Sequence, residues 1–325
     1  MEHFFMLLGF ALASYAVVGN DAIQTLGTFL SSNSKRPWWV LWLFSSTILV
    51  SVMMYGFFVL GDISYGKFDG TFIKEGKDIY PAVFYWWYII PPLILLVITR
   101  FGIPVSTTFL IVSVFAPSAI DKMILKSVVG YGFAFVLAIV VYLLISKLVE
   151  KYFIETHTGD EPRWGWVVAQ WLATGFLWSQ WLLQDLINIF VYLYIPLKES
   201  PETAVYYIVG STVLLVFFQG VLFYYKGGEI QKIVTTKTNT TDIRSATIID
   251  FIYAIVLLFF YGPIPMSTTW VFVGLLAGRE FAINFQLKTQ SMSATSRVVF
   301  WDFAKIILGL VVSILLVVMI SFLRG

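Results

Sequence analysis

The 325-residue chain contains no cysteine. That excludes disulfides, covalent haem attachment and thiolate metal sites. Histidine is almost as scarce, with only His3 at the terminus and His157 in a polar stretch. Both read as solvent-facing, which leaves no imidazole for catalysis. Charge is thin as well: 12% of residues are Asp, Glu, Lys or Arg, about half the share found in soluble domains. A net charge of +2 without a basic stripe excludes a nucleic-acid backbone as partner. The first residues have neither a basic leader nor a small-residue cleavage site, so they read as part of the mature fold rather than a signal peptide.

Apolar sequence fills the chain instead: 59% of residues are hydrophobic and 18% aromatic. The runs 38–60, 83–99, 128–145, 204–223 and 298–323 each approach the ~20 residues that cross a bilayer. The expected fold class is therefore an all-α polytopic membrane protein. A multi-pass place in the cell (inner) membrane follows, with the lipid bilayer as its main partner. Most of the twelve tryptophans are expected in interfacial belts.

Along the chain, a broken helix over 4–30 leads to the span 38–60 and a polar loop over 62–80. The span 83–99, a Pro-Val-Ser-Thr-Thr segment running to about Ala116 and a span over 128–149 complete the first half. The composition breaks at 150–163, the natural linker. From Trp164 the same order returns: an apolar stretch reaching Asp185, a span over 204–223, a polar loop over 226–244, an apolar run and a second Pro-x-Ser-Thr-Thr segment to Ala277. A polar loop over 279–297 precedes the last span. Residues 1–149 and 164–325 thus read as two membrane repeats with broken helices or re-entrant hairpins. Loop charges favour an inverted arrangement: 62–80 holds three lysines against four acids, and 226–245 holds four bases against two acids.

Two matched pairs of motifs carry the chemistry. Ile103-Pro104-Val105-Ser106-Thr107-Thr108 reappears 161 residues later as Ile264-Pro265-Met266-Ser267-Thr268-Thr269. Proline breaks helix before itself, so Ser106 and Ser267 are placed to cap a helix that starts at membrane depth. Free N–H groups and hydroxyls there would hold an oxyanion without a formal positive charge. The second pair is Asn20-Asp21-Ala22-Ile23-Gln24 and Gln184-Asp185-Leu186-Ile187-Asn188, with the aspartates 164 residues apart. A carboxylate within a span is costly unless it is used. An Asp with an amide three residues on presents oxygen ligands from one helical face, suited to a hard cation.

These motifs resemble those of the inorganic phosphate transporter (PiT) family, sodium- or proton-coupled carriers built from two inverted repeats, each with an Asn-Asp and a Pro-Val-Ser-Thr-Thr motif. The resemblance implies a secondary transporter and no enzyme. It assigns the anion to Ser106, Thr107, Thr108, Ser267, Thr268 and Thr269, and the coupling cation to Asn20, Asp21, Gln24, Gln184, Asp185 and Asn188. No cofactor is implied beyond the coupling ion, Na+ before H+, and no other metal. Phosphate is the first substrate and sulfate the alternative, since both are tetrahedral oxyanions; a homodimer is compatible with the family. The chain departs from the family pattern at Gln24 and Gln184, at Trp181-Leu182-Leu183, and at Phe109 and Trp270, where a histidine often follows the Thr-Thr.

Two rival classes set useful contrasts. Paired intramembrane aspartates could form a shared-proton dyad for peptide hydrolysis, and a channel could use the same polar segments. Among other charges, Arg100 and the Arg279-Glu280 pair read as interfacial residues, and Asp302 and Lys305 as neighbours that neutralise each other.

Overall fold

Apolar runs become helices here because a lipid core offers backbone N–H and C=O groups no other partner. The computed structural model describes residues 1–156, 164–228, 231–235, 237, 239–288 and 290–323. His157 and the linker residues 157–163 lie outside the described residues. The main helices are α1 (Glu2–Val17), α2 (Ile23–Ser32), α3 (Trp38–Met54), α4 (Ile90–Arg100), α5 (Ile120–Ile145), α6 (Trp164–Asp185), α7 (Pro201–Tyr224), α8 (Ile243–Phe259), α9 (Thr268–Leu287) and α10 (Met292–Leu323). Among the described residues, five segments are long and apolar enough to cross a membrane: Glu2–Ala22, Trp38–Val59, Pro117–Glu155, Pro201–Tyr224 and Met292–Leu323. Large side chains such as Phe58, Leu144, Val213 and Phe322 stay exposed on them, as a lipid-facing surface requires. The chain is an all-α, multi-pass integral membrane protein.

Local signals explain where the helices start. Pro91 and Pro92 sit in the first turn of α4, where a missing N–H costs nothing. Ser200 caps α7 by accepting from the Thr203 N–H at 3.1 Å, with Pro201 at the first helical position. Asp242 caps α8 through the Arg244 N–H at 2.9 Å. The expected break in the first helix is a π-wound turn at Val18–Ala22 between α1 and α2. Its extra residue displaces Asn20 and Asp21 from regular helical register.

Helices α5 and α9 pack along each other, as do α6 and α8. Close approach in the first pair depends on Gly274 and Gly278, whose missing side chains admit the backbone carbonyls of Tyr131 and Phe135. This pairing corrects one expectation. The stretch 279–297 is not a polar loop, because α9 runs through Arg279 and Glu280 to Leu287 and α10 starts at Met292. Arg279 is fully buried and meets Glu150, also fully buried, at 3.0 Å, with the Ser245 hydroxyl at 2.8 Å. Neutralised in this way, it can remain inside a helix rather than at an interface.

Other polar segments fold inward too. The expected loop over 62–80 carries a short helix, Lys67–Phe72, and a hairpin of two-residue strands, Ile73–Lys74 and Lys77–Asp78. Phe68, Thr71 and Phe72 are buried, so apolar side chains hidden in a charged stretch anchor it to the bundle. Asp302 does not pair with Lys305: its carboxylate meets the Lys237 ammonium from the 226–244 segment. Trp178 and Trp181 stack at 4.8 Å in the interior and Trp270 is buried, so these three leave the interfacial belt. Arg100 stays at the exposed end of α4, as expected.

Candidate functional site

Four segments that are remote in sequence meet inside the bundle: the π turn after α1, the end of α6, and the two Pro-x-Ser-Thr-Thr segments. Each serine caps its helix as the sequence predicts. The Phe109 N–H donates to Ser106 Oγ and the Trp270 N–H to Ser267 Oγ, both at 3.2 Å. The helix that follows Ser106 runs only from Thr107 to Phe115 before Ala116 breaks it. Its rise of roughly 14 Å covers about half of a ~30 Å hydrocarbon core. The matching helix after Ser267 is the full α9.

Side-chain contacts then tie the halves together. Asn20 Nδ2 donates to Asp21 Oδ1 at 2.6 Å and to the Val105 carbonyl at 2.8 Å. The Thr107 hydroxyl donates to Asp21 Oδ2 at 2.5 Å and accepts from Asn188 Nδ2 at 2.8 Å. Asn188 Nδ2 also donates to Asp185 Oδ1 at 2.6 Å. A continuous path Asp21–Thr107–Asn188–Asp185 therefore joins the two carboxylates. They share no direct hydrogen bond, which removes the geometric basis of a shared-proton dyad.

The second hydroxyl segment closes the ring through backbone groups. Thr108 donates to the Met266 carbonyl at 3.2 Å and to Asn188 Oδ1 at 3.3 Å, and Thr269 donates to the Val105 carbonyl at 3.3 Å. Asp21, Asp185, Asn188 and the six motif hydroxyl residues are all at most 4% exposed, so the site is occluded from both sides. Hydroxyl and amide donors, carboxylates and carbonyl oxygens are joined here in one connected network. Such a set can hold an oxyanion on its N–H and O–H groups and a cation on its oxygens.

The sequence-stated residues do not all join. Gln24 reaches the site only through Asn20 Oδ1, at 3.2 Å. Gln184 turns away and donates to the Leu257 carbonyl at 3.0 Å, while its Oε1 has no hydrogen-bond partner. Others were missed. Ser127 accepts from the Ser267 N–H at 2.8 Å, and the Tyr253 hydroxyl donates to the Thr268 carbonyl at 3.0 Å. Asp250 is another fully buried carboxylate, bonded by Thr174 at 2.5 Å and by Thr28. An acid inside the apolar run Ile248-Ile249-Asp250-Phe251-Ile252 was the signal that would have found it.

No protein-family model matches the chain, and no curated protein matches it. Among solved structures, one titled "The sodium-dependent phosphate transporter" matches at 15% identity and a TM-score of 0.58, covering 98% of this chain and 96% of its own. At that identity the likeness is one of fold, along nearly the whole length of both chains. The chain thus shares its architecture with a sodium-dependent phosphate transporter of known structure.

Proposed function

We propose that the chain is a secondary transporter of inorganic phosphate, driven by cotransport of a cation, Na+ before H+. Residues 1–149 and 164–325 act as two inverted repeats around one site. The observation that carries this reading is the ring of contacts in which Thr107 links Asp21 to Asn188 and Asp185. The fold shared with a sodium-dependent phosphate transporter supports it.

In this reading the first-turn N–H groups of the helices starting at Thr107 and Thr268 face the phosphate oxygens, with Ser106, Thr108, Ser267, Thr268 and Thr269 as hydroxyl donors. Asp21 and Asp185 bind the cation side, helped by the oxygens of Asn20 and Asn188. Thr107 belongs to both sets, because its hydroxyl lies between an acid and an amide. A cation that replaces the Thr107–Asp21 hydrogen bond frees that hydroxyl for the anion, which makes binding of the two ions mutually favourable. Asp21 and Asp185 would repel phosphate until a cation offsets them. That ordering gives coupling, and movement of one repeat against the other gives alternating access.

Sodium-gradient-driven phosphate uptake into proteoliposomes tests the assignment. Asp21→Asn is expected to reduce uptake about 100-fold, from the roughly 2–5 kcal/mol carried by a buried charge contact. Ser106→Ala is expected to lower it about tenfold through loss of one donor and cap. Wild-type rates in both variants overturn the site, and saturable uptake blocked by sulfate moves the substrate to the wider oxyanion class.

A further inference from the structure

Lysine 67 is the outlier of the interior. It is fully buried, and its ammonium has no hydrogen-bond acceptor among the described residues. Its nearest support is the face of Tyr261, with Nζ 4.7 Å from the ring centroid. The nearby acid Asp62 acts on it electrostatically, while its carboxylate oxygens accept from Ser64 N and Ser64 Oγ at 2.7 Å and from Gly66 N at 2.5 Å. An unpaired buried ammonium is expensive, and a fold retains one where it has a ligand to meet.

Its position points to that ligand. The short helix bearing Lys67 presses Gly70 against Pro263, and Tyr261 to Ile264 is the strip that leads into Ser267. On the other side of this strip, Lys126 donates to the Ile264 carbonyl at 2.6 Å. A surface cavity of about 350 Å³ opens next to it, lined by Gly70, Lys74, Glu75, Lys122 and Ile264 among others. Lys122 and Lys126 are one helical turn apart on α5, so exposed, half-buried and buried lysines follow one another inward. Asp185 of the site is close enough to act on Lys67 electrostatically.

We propose that Lys67 is an anion-binding residue of the transport site, at the inner end of a lysine-lined access path beside the 62–80 segment. The inference rests on the transporter reading. It supplies the formal positive charge that the Ser-Thr-Thr motifs lack, and places the anion between Lys67 and a cation on Asp185. Burial, then the neighbouring Lys126, brings the Lys67 ammonium down to about 7, against the opposing pull of Asp185 and Asp62. The charged groups around it are Lys126, Asp62 and Asp185, with the Tyr261 ring beneath.

The full chain in nanodiscs, probed with labelled sulfate and labelled phosphate, provides the test. Lys67→Met keeps an unbranched side chain, one atom shorter, and removes the charge. It is expected to weaken binding of both anions about tenfold or more, the worth of one hydrogen bond to a charged group. Its melting temperature should match or exceed wild type, because an unpaired buried charge is gone. Sulfate stays doubly charged between pH 6 and 8, so its affinity for the wild type should fall as pH rises through about 7, and Lys67→Arg should flatten that fall. Should Lys67→Met not fold, Lys122→Met at the exposed mouth, reconstituted in proteoliposomes, should slow initial uptake about threefold at low ionic strength, with the loss disappearing in high salt. Unchanged anion affinity in folded Lys67→Met, or salt-independent uptake by Lys122→Met, overturns the lysine proposal alone. A wild-type protein that binds neither anion takes the transporter reading down with it.

Discussion

The Asp21 and Asp185 windows are near copies in sequence and unequal in space. Both oxygens of Asp21 are engaged, Oδ1 by Asn20 at 2.6 Å and Oδ2 by Thr107 at 2.5 Å. Asp185 takes its closest donor from Asn188, at 2.6 Å, with the hydroxyls of Thr268 and Thr108 also bearing on its carboxylate. The amides diverge as well: Gln24 supports Asn20, whereas Gln184 serves a backbone carbonyl of α8. The cause is which hydroxyl segment reaches which acid. Thr107 and Thr108 from the first half touch the residues of both windows, while in the second segment Thr268 bears on Asp185 and Thr269 on Asp21. A duplicated motif therefore repeats the chemical groups without repeating their tasks. Asp21 is bound by a hydroxyl of its own half, whereas Asp185 lies within electrostatic reach of Lys67.

The strongest way to break this comparison is to cut the joint between the two regions. Glu150 at the end of the first half and Arg279 of α9 form a fully buried pair. Arg279→Ala should lower stability by about 3–5 kcal/mol, because it strands the Glu150 charge. Thermal unfolding in detergent measures that loss, and Glu150→Gln combined with Arg279→Met should restore much of it. A single variant that melts like wild type would show that the halves are held elsewhere.

A smaller effect sharpens the contrast between the windows. Gln24→Ala removes a support of Asn20 and should cost about 1 kcal/mol of cation affinity, roughly fivefold. Gln184→Ala should leave affinity within about twofold, since that side chain points to Leu257. Cation-activation curves of phosphate uptake read both, and equal losses would erase the asymmetry. An effect of similar size, on stability rather than affinity, is expected at the caps. Ser267→Ala and Ser106→Ala each remove one bond at 3.2 Å and should cost about 1 kcal/mol of stability. The loss should be cleaner for Ser267, which caps the long α9.

Much of the site could be read in advance because each signal was local. Proline stops a helix, a following serine caps the next one, and an acid in an apolar run stands out within a few residues of its neighbours. The break at Val18–Ala22 and both caps follow from such rules. Arg279 was misread because a charge near the end of an apolar run looks interfacial until its partner, 129 residues away, is brought beside it. Lys67 was hidden for the same reason: in a loop rich in charge nothing distinguishes one lysine, and only the burial of Phe68, Thr71 and Phe72 draws it inward.

By itself the sequence determined the class of protein, the helical elements, the repeated hydroxyl and aspartate motifs and the positions where helices must stop. These depend on hydrophobic length, backbone dihedral limits and hydrogen bonds that close within a few residues. Tertiary structure alone decided which acid met which hydroxyl, that Gln184 left the site, and that buried charges from distant segments were brought close to it. Those outcomes turn on contacts between side chains dozens to hundreds of residues apart, where packing of whole helices sets the geometry and local rules have no reach.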